Sequence, residues 1–145
     1  KEYYLTDIIE LLLKNGELVQ ALPYPDNKIG VGINHRVDLA KALGIARKEY
    51  LEKLMLSGVT ILDPDSTFID STVQIGSDTT IYPFCYLEEN SIIGGDCKIG
   101  PNVRITNSQI PDNSMIEFSV VETSQFQSGV NIGPFAHYQN NIPKK

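Results

Sequence analysis

"SIIGGDCKIGPNV", residues 91–103, carries the period that decides the fold. Ile93 and Ile99 stand six apart, each followed by a glycine, and Cys97 and Val103 follow four places after each isoleucine. A helix repeats every ~3.6 residues and a strand every ~2, so a period of six needs a third geometry. The pattern extends in both directions. Ile69, Ile75, Ile81, Leu87, Ile93, Ile99 and Ile105 are spaced by six without a slip. Four places after the first six of these come Val73, Thr79, Cys85, Ser91, Cys97 and Val103, all small or medium in size. Three places after come Thr72, Asp78, Phe84, Asn90, Asp96 and Asn102, rich in the non-glycine types that best tolerate left-handed backbone.

A short strand and a tight corner together use six residues, and three such sides close a triangular turn of about eighteen. Each side then points its aliphatic residue inward, and the next turn stacks the same residue type above it. Backbone amides bond from turn to turn as in a parallel sheet. The small residue sits where a bulky one would collide, and Gly, Asp or Asn shapes the corner. Cys85 and Cys97 accordingly read as small core fillers rather than reactive thiols. Beyond Ile105 the register shifts: Ile110 and Ile116 keep spacing six with each other but are offset by one, which predicts a deleted or bulged corner near Pro111. "NIGPFAHY", residues 131–138, restores the motif. The spacing predicts about four turns over residues 58–140, a short tail over 141–145, and a last turn with no capping helix.

The first half obeys different rules. Thr6 or Asp7 can cap a helix bearing Ile8, Ile9, Leu11, Leu12 and Leu13, with Asp7 and Glu10 at capping-box spacing and Gly16 as its stop. "ELVQALPY", 17–24, reads as a short strand, and "PDNKIGVG", 25–32, as a loop. A second helix is expected from about His35 to Leu56, with Gly44 as a point of interruption and Gly58 as a stop. The overall expectation is a mixed fold. A short α/β tail and a connecting helix occupy residues 1–57, and a parallel β-helix follows from 58.

Of the 145 residues, 41% are hydrophobic and 21% charged, enough for a packed core, and the formal net charge is -6. That charge speaks against a protein that tracks nucleic-acid phosphates, not against binding one small nucleotide. Two cysteines without a secretory pattern fit a reducing, cytoplasmic setting. No apolar run reaches the ~18 residues of a membrane span, and the amino end lacks a cleavage site of the secretory type. The chain begins without Met, which fits a processed chain or a fragment.

The hexads resemble the left-handed β-helix of bacterial hexapeptide acyltransferases. "EYYLTDIIE" (2–10), "GINHRVDLA" (32–40), "LMLSGVTILDP" (54–64) and "IGPFA" (132–136), in that order, narrow the resemblance. Together they resemble the middle of the bifunctional N-acetylglucosamine-1-phosphate uridyltransferase / glucosamine-1-phosphate acetyltransferase family, across essentially the whole chain. The resemblance implies an α/β domain that makes UDP-N-acetylglucosamine from UTP and the sugar phosphate with magnesium. It also implies a homotrimer assembled through the β-helix.

The family's triphosphate-binding loop and magnesium aspartate lie upstream of the segment this chain resembles. Gly30-Val31-Gly32 lacks the third glycine and basic partner of a phosphate loop. Asn34 in "GINHR" matches the asparagine that completes the magnesium and UDP-sugar site, so the resemblance makes it a metal and substrate ligand. Its spacing alone favours a cap on the following helix, and only the resemblance reverses that reading. Arg36 reads as an ion-pair partner, and Tyr3 and Tyr4 as packing residues near the sugar site. The family's "PFARLR" is "PFAHYQ" here, with neutral Gln139 in place of a phosphate-binding arginine. This disfavours acetyl-CoA chemistry.

His35 and His137 are the only histidines, too few for a three-histidine zinc site between subunits. His137 reads as a loop or trimer-contact residue, with a general base as the sharper option. Three functions follow: an enzyme piece inactive on its own, a non-catalytic trimerisation module, and a stand-alone hexapeptide acyltransferase.

Overall fold

The computed structural model describes every residue except Lys1, Tyr3, Tyr24, 26–31, Ser128 and Lys145. The coil winds as three parallel faces of two- and three-residue strands, with each rung one full turn above the last. On the first face the inward column is Ile61, Ile81, Ile99, Ile116 and Ile132. On the second it is Ile69, Leu87, Ile105, Val121 and Tyr138. On the third it is Ile75, Ile93 and Ile110, continued by an isolated bridge between Gln109 and Gln125. Ile81, Leu87, Ile99, Ile105, Ile116 and Val121 are fully buried. Each fully buried aliphatic contributes roughly 1.5–3 kcal/mol, and only stacking on the next rung provides that burial. Ile75 is half-buried because it begins its column, with no rung beneath it. These columns make the carboxyl-terminal part a left-handed parallel β-helix.

The small-residue column has a second purpose beyond fit. The Ser91 hydroxyl donates to the Glu88 carbonyl at 2.7 Å and accepts the N–H of Ser108 from the next turn. Ser108 repeats this with Thr106 and Ser124, and Ser124 with Glu122 and Asn141. Thr79 does the same for Gly94 and Cys97. Every buried side-chain polar atom among the described residues has a partner. Cys85 and Cys97 are free and buried, as expected of fillers. Burial pushes the Cys85 thiol up to about 11.

The shortened corners differ from expectation in place and number. Leu87 pairs with Ile105, eighteen on, but Ile105 pairs with Val121, sixteen on. The first loss lies between Ile105 and Ile110, ahead of Pro111, and Ile116 to Val121 is again five. Left-handed backbone falls at Asp78, Asp96 and Asn102 as the Asp/Asn column suggested, but also at Phe84, and at Glu89 rather than Asn90. The glycines that follow inward aliphatics serve spacing between turns. A Cβ at Gly94 would lie 2.5 Å from the Asp112 nitrogen of the next turn.

The last rung is not bare. Residues 137–139 turn back through Asn140 and Asn141, both left-handed, into an antiparallel strand that pairs Gln139 with Ile142. Two consecutive left-handed residues make the tight hairpin turn whose twist suits a sheet.

At the other end α2, Arg36–Leu56, runs unbroken through Gly44 and stops at Ser57, with Gly58 left-handed. It covers the first turn by burying Leu51 and Leu54. The Tyr50 hydroxyl donates to the Val73 carbonyl at 2.7 Å. Residues 33–145 form one compact unit and 1–32 another. Within the smaller unit α1, Asp7–Lys14, buries none of its side chains. The capping box does not form: Glu10 pairs with Lys14 at 2.6 Å, and Asp7 accepts the Tyr4 N–H. Gly16 ends this helix in left-handed backbone. The strand expected at 17–24 is absent from Glu17 to Pro23, which pair with no neighbouring strand among the described residues. Tyr24 lies outside the described residues, as do Tyr3 and the Gly30-Val31 part of the Gly-x-Gly.

Candidate functional site

Asn34 stands two residues before α2, and it is not the cap. His35 holds that position in extended backbone and its Nδ1 accepts the Asp38 N–H at 3.3 Å. The same nitrogen lies 3.2 Å from Asp38 Oδ2. The Asn34 N–H points to Asp38 Oδ2 at 3.4 Å. Capping by His35 leaves the Asn34 side chain, which is exposed, outside the helix's own hydrogen bonds. An amide oxygen there suits a hard cation as one ligand among several. No group of three or more His, Cys, Asp or Glu that could hold a metal exists among the described residues. The donor set present therefore does not make a magnesium site by itself.

A cleft of about 530 Å³ lies between α2 and the first turn of the coil. Leu43, Gly44 and Ala46 wall one side, Phe68, Asp70 and Ser71 the other. The Arg47 guanidinium sits 4.5 Å from the Phe68 ring centre, and Phe68 stacks on Tyr86 at 4.9 Å. Arg47, Phe68 and Tyr86 are thus engaged with one another along this cleft.

The second face of the coil carries two charged pairs. Arg104 donates to Glu88 at 2.6 Å, and that hydrogen bond holds the guanidinium still more firmly protonated. His137 Nε2 lies 2.9 Å from Glu122, whose carboxyl is held below its ordinary range chiefly by this hydrogen bond. His137 thus lies on a coil strand, not in a loop. Gln139 is the register partner of Glu122, so the position where the family carries an arginine has a carboxylate beside it. Sequence reading missed Glu122 and Arg47. The signal for Glu122 was available once the shortened turns are counted, because Val120 and His137 are rung neighbours.

A family model described as bacterial transferase hexapeptide (six repeats) matches residues 72–107. The chain is 46% identical to the bifunctional protein GlmU of Carboxydothermus hydrogenoformans over 137 residues, covering 94% of this chain and 31% of that one. It is 47% identical to the GlmU protein of Acetivibrio thermocellus and 46% to that of Geobacillus sp., with 94% of this chain and 30% of each relative covered. The chain spans about a third of the length of these relatives. Among solved structures, the PerB protein of Caulobacter crescentus, in complex with CoA and GDP-perosamine, is 10% identical at a TM-score of 0.35. That likeness covers 61% of this chain and 58% of PerB, and is too low to bear on function. The hexad columns and the family match agree on a hexapeptide-repeat left-handed β-helix, and the chain is similar over nearly all its length to about a third of the bifunctional GlmU proteins.

Proposed function

We propose that this chain is part of a sugar-1-phosphate nucleotidyltransferase that makes UDP-N-acetylglucosamine from UTP and N-acetylglucosamine-1-phosphate in the cytoplasm. Residues 1–57 are the end of the nucleotidyltransferase domain with its linker helix. Residues 58–140 are a β-helix stalk that assembles as a homotrimer, and 141–145 are a tail. The observation that carries this reading is the identity to GlmU proteins along 94% of the chain, which includes the segment around Asn34 and not the coil alone. Capping by His35 supports a ligand role for Asn34, because its amide is not spent on the helix. Asn34 would give magnesium or the UDP-sugar one neutral oxygen, and the other ligands would come from outside these residues.

Acetyl transfer from acetyl-CoA is disfavoured. A sugar phosphate arriving at the Gln139 position would meet an uncharged amide with Glu122 alongside.

Pyrophosphate release from UTP, N-acetylglucosamine-1-phosphate and magnesium tests the partition. The 145-residue chain alone is inactive. A longer parent chain is active and loses rate on Asn34→Ala, with a raised magnesium requirement. Turnover by the isolated chain would overturn the assignment. The absence of a metal-binding cluster among the described residues favours, as second reading, a purely structural trimerisation module. An Asn34→Ala parent with unchanged rate and magnesium dependence would select it.

A further inference from the structure

The sequence holds a single Asn-Gly pair, Asn15–Gly16, and Asn-Ser pairs at 90–91, 107–108 and 113–114. In such pairs the backbone nitrogen of the second residue can attack the side-chain carbonyl carbon of the asparagine. Glycine leaves that approach most open, because it has no Cβ. The attack requires the intervening peptide to turn, so it proceeds where the backbone opens and stalls where the backbone is held.

The structure holds these pairs very differently. Asn15 is exposed at the end of α1, a helix of eight residues that buries none of its side chains. A helix on its own in water needs ~12–15 residues to persist. The Gly16 N–H donates to the Leu13 carbonyl at 3.1 Å and the Glu17 N–H to the Leu12 carbonyl at 3.0 Å. With ψ of 5° at Asn15, the attack must turn the Asn15–Gly16 peptide and break the first of these bonds. Space for the movement exists, since a Cβ added at Gly16 would meet nothing within 4 Å. In the coil, Ser91, Ser108 and Ser114 are all buried. The Ser108 N–H is also held by the Ser91 hydroxyl of the neighbouring turn at 3.3 Å. Turning those peptides means parting stacked rungs.

We propose that Asn15 is a site of spontaneous deamidation, and that the end of α1 is where the native chain accumulates aspartate and isoaspartate. The Gly16 nitrogen bonds to Asn15 Cγ, and the side-chain nitrogen leaves as ammonia, taking up the proton that Gly16 gives up. Water then opens the cyclic imide at one carbonyl or the other. One opening yields aspartate; the other yields isoaspartate, whose chain runs through the side-chain carbon. Either product puts a negative charge at the carboxyl end of a helix, where the backbone dipole is already negative. The isoaspartyl link also lengthens the backbone by one carbon and carries the Gly16 and Glu17 amides away from Leu13 and Leu12. The last turn of α1 therefore unwinds, and the altered chain becomes a substrate for enzymes that methylate isoaspartyl carboxylates. None of this depends on the nucleotidyltransferase reading.

The test ages the 145-residue chain in warm, mildly alkaline buffer, once native and once in urea. Peptide mass spectrometry follows each asparagine, and an isoaspartyl methyltransferase assay follows the intact protein. Each site's native rate is divided by its own rate in urea, which removes the intrinsic difference between Asn-Gly and Asn-Ser. For Asn15 that ratio is expected to stay within about tenfold of unity, whereas at Asn90, Asn107 and Asn113 folding slows conversion at least about a hundredfold. Methyl acceptance rises with conversion of Asn15 and is lost in Asn15→Gln, which keeps the urea midpoint of the coil. Aged wild type loses amide-exchange protection at Gly16 and Glu17. Suppression of Asn15 in the native chain as deep as at the coil sites would overturn the proposal, because the end of α1 would then be held as firmly as a stacked rung. Methyl acceptance that persists undiminished in Asn15→Gln would overturn it too, by placing the isoaspartate elsewhere.

Discussion

The Ser108 hydroxyl accepts the backbone N–H of Ser124 at 3.0 Å, one turn along the coil, while donating to the carbonyl of Thr106 at 2.8 Å. One small side chain thus satisfies a corner in its own turn and an amide in the next, out of reach of water. Ser108→Ala leaves the Ser124 amide unpaired, and the cost expected is ~1–3 kcal/mol in urea unfolding. An exposed change at the next residue, Gln109→Ala, moves the midpoint by less than about 0.5 kcal/mol.

Inward and outward positions one residue apart should separate just as clearly. Ile93 is 1% exposed in its column, and Ile92, beside it on the same strand, points outward at 41%. Ile93→Ala opens a cavity between rungs and costs ~2–5 kcal/mol, whereas Ile92→Ala costs well under half of that. Equal losses would mean that the two faces of the strand are not inside and outside.

Two glycine-to-alanine changes have opposite signs. At Gly94 an added Cβ would press on Asp112 in the adjacent turn, while at Gly44 in α2 it meets nothing within 4 Å. Gly94→Ala is destabilising, and Gly44→Ala is stabilising by up to ~1 kcal/mol through helix propensity. Thermal melts of both variants against wild type check the pair.

Much of this was written in the chain. The columns from Ile69 to Ile105 declare inward positions because a period of six is compatible with neither helix nor strand alone. The shortened corners after Ile105 were misplaced, since a deletion shows itself only at the next aliphatic, Ile110, five residues later. Phe84 was not recognised as left-handed because local propensity assigns that backbone to Gly, Asn and Asp, and here an edge overrides propensity. The bonds from Ser91 through Ser108 and Ser124 to Asn141, like the pair Glu122–His137, join residues fifteen to seventeen apart. They become visible only when the turn length is known residue by residue. The site was least legible. Asn34 had two readings by spacing, and only the backbone at His35 decided that the cap belongs to its neighbour.

Acid sensitivity should localise to the terminal rungs. Glu122 has its carboxyl lowered in the fold by the His137 hydrogen bond. The unfolded chain therefore binds the extra proton first. The contribution is present above the ordinary carboxylate value and is lost as pH falls through the lowered one. Glu122→Gln is expected to flatten that part of the stability-versus-pH curve while leaving neutral-pH folding intact. An unchanged acid slope would place the sensitivity elsewhere.

The buried thiols give a chemical readout. With the Cys85 thiol pushed up to about 11 by burial, and Cys97 equally enclosed, neither reacts with an alkylating reagent at pH 8 until the coil unfolds. Rapid labelling of native protein would contradict their placement in the core.

The stacking of rungs itself is open to direct measurement. Gln74 and Ile92 are register partners on adjacent turns, both pointing outward. Nitroxide labels at Gln74→Cys and Ile92→Cys, with the native thiols protected by burial, report their separation. The coil places their Cα atoms about 5 Å apart and predicts a spectrum broadened by strong spin–spin coupling. A separation of about 27 Å, the span of eighteen residues of α-helix, or any uncoupled spectrum, would contradict the fold from which everything else follows.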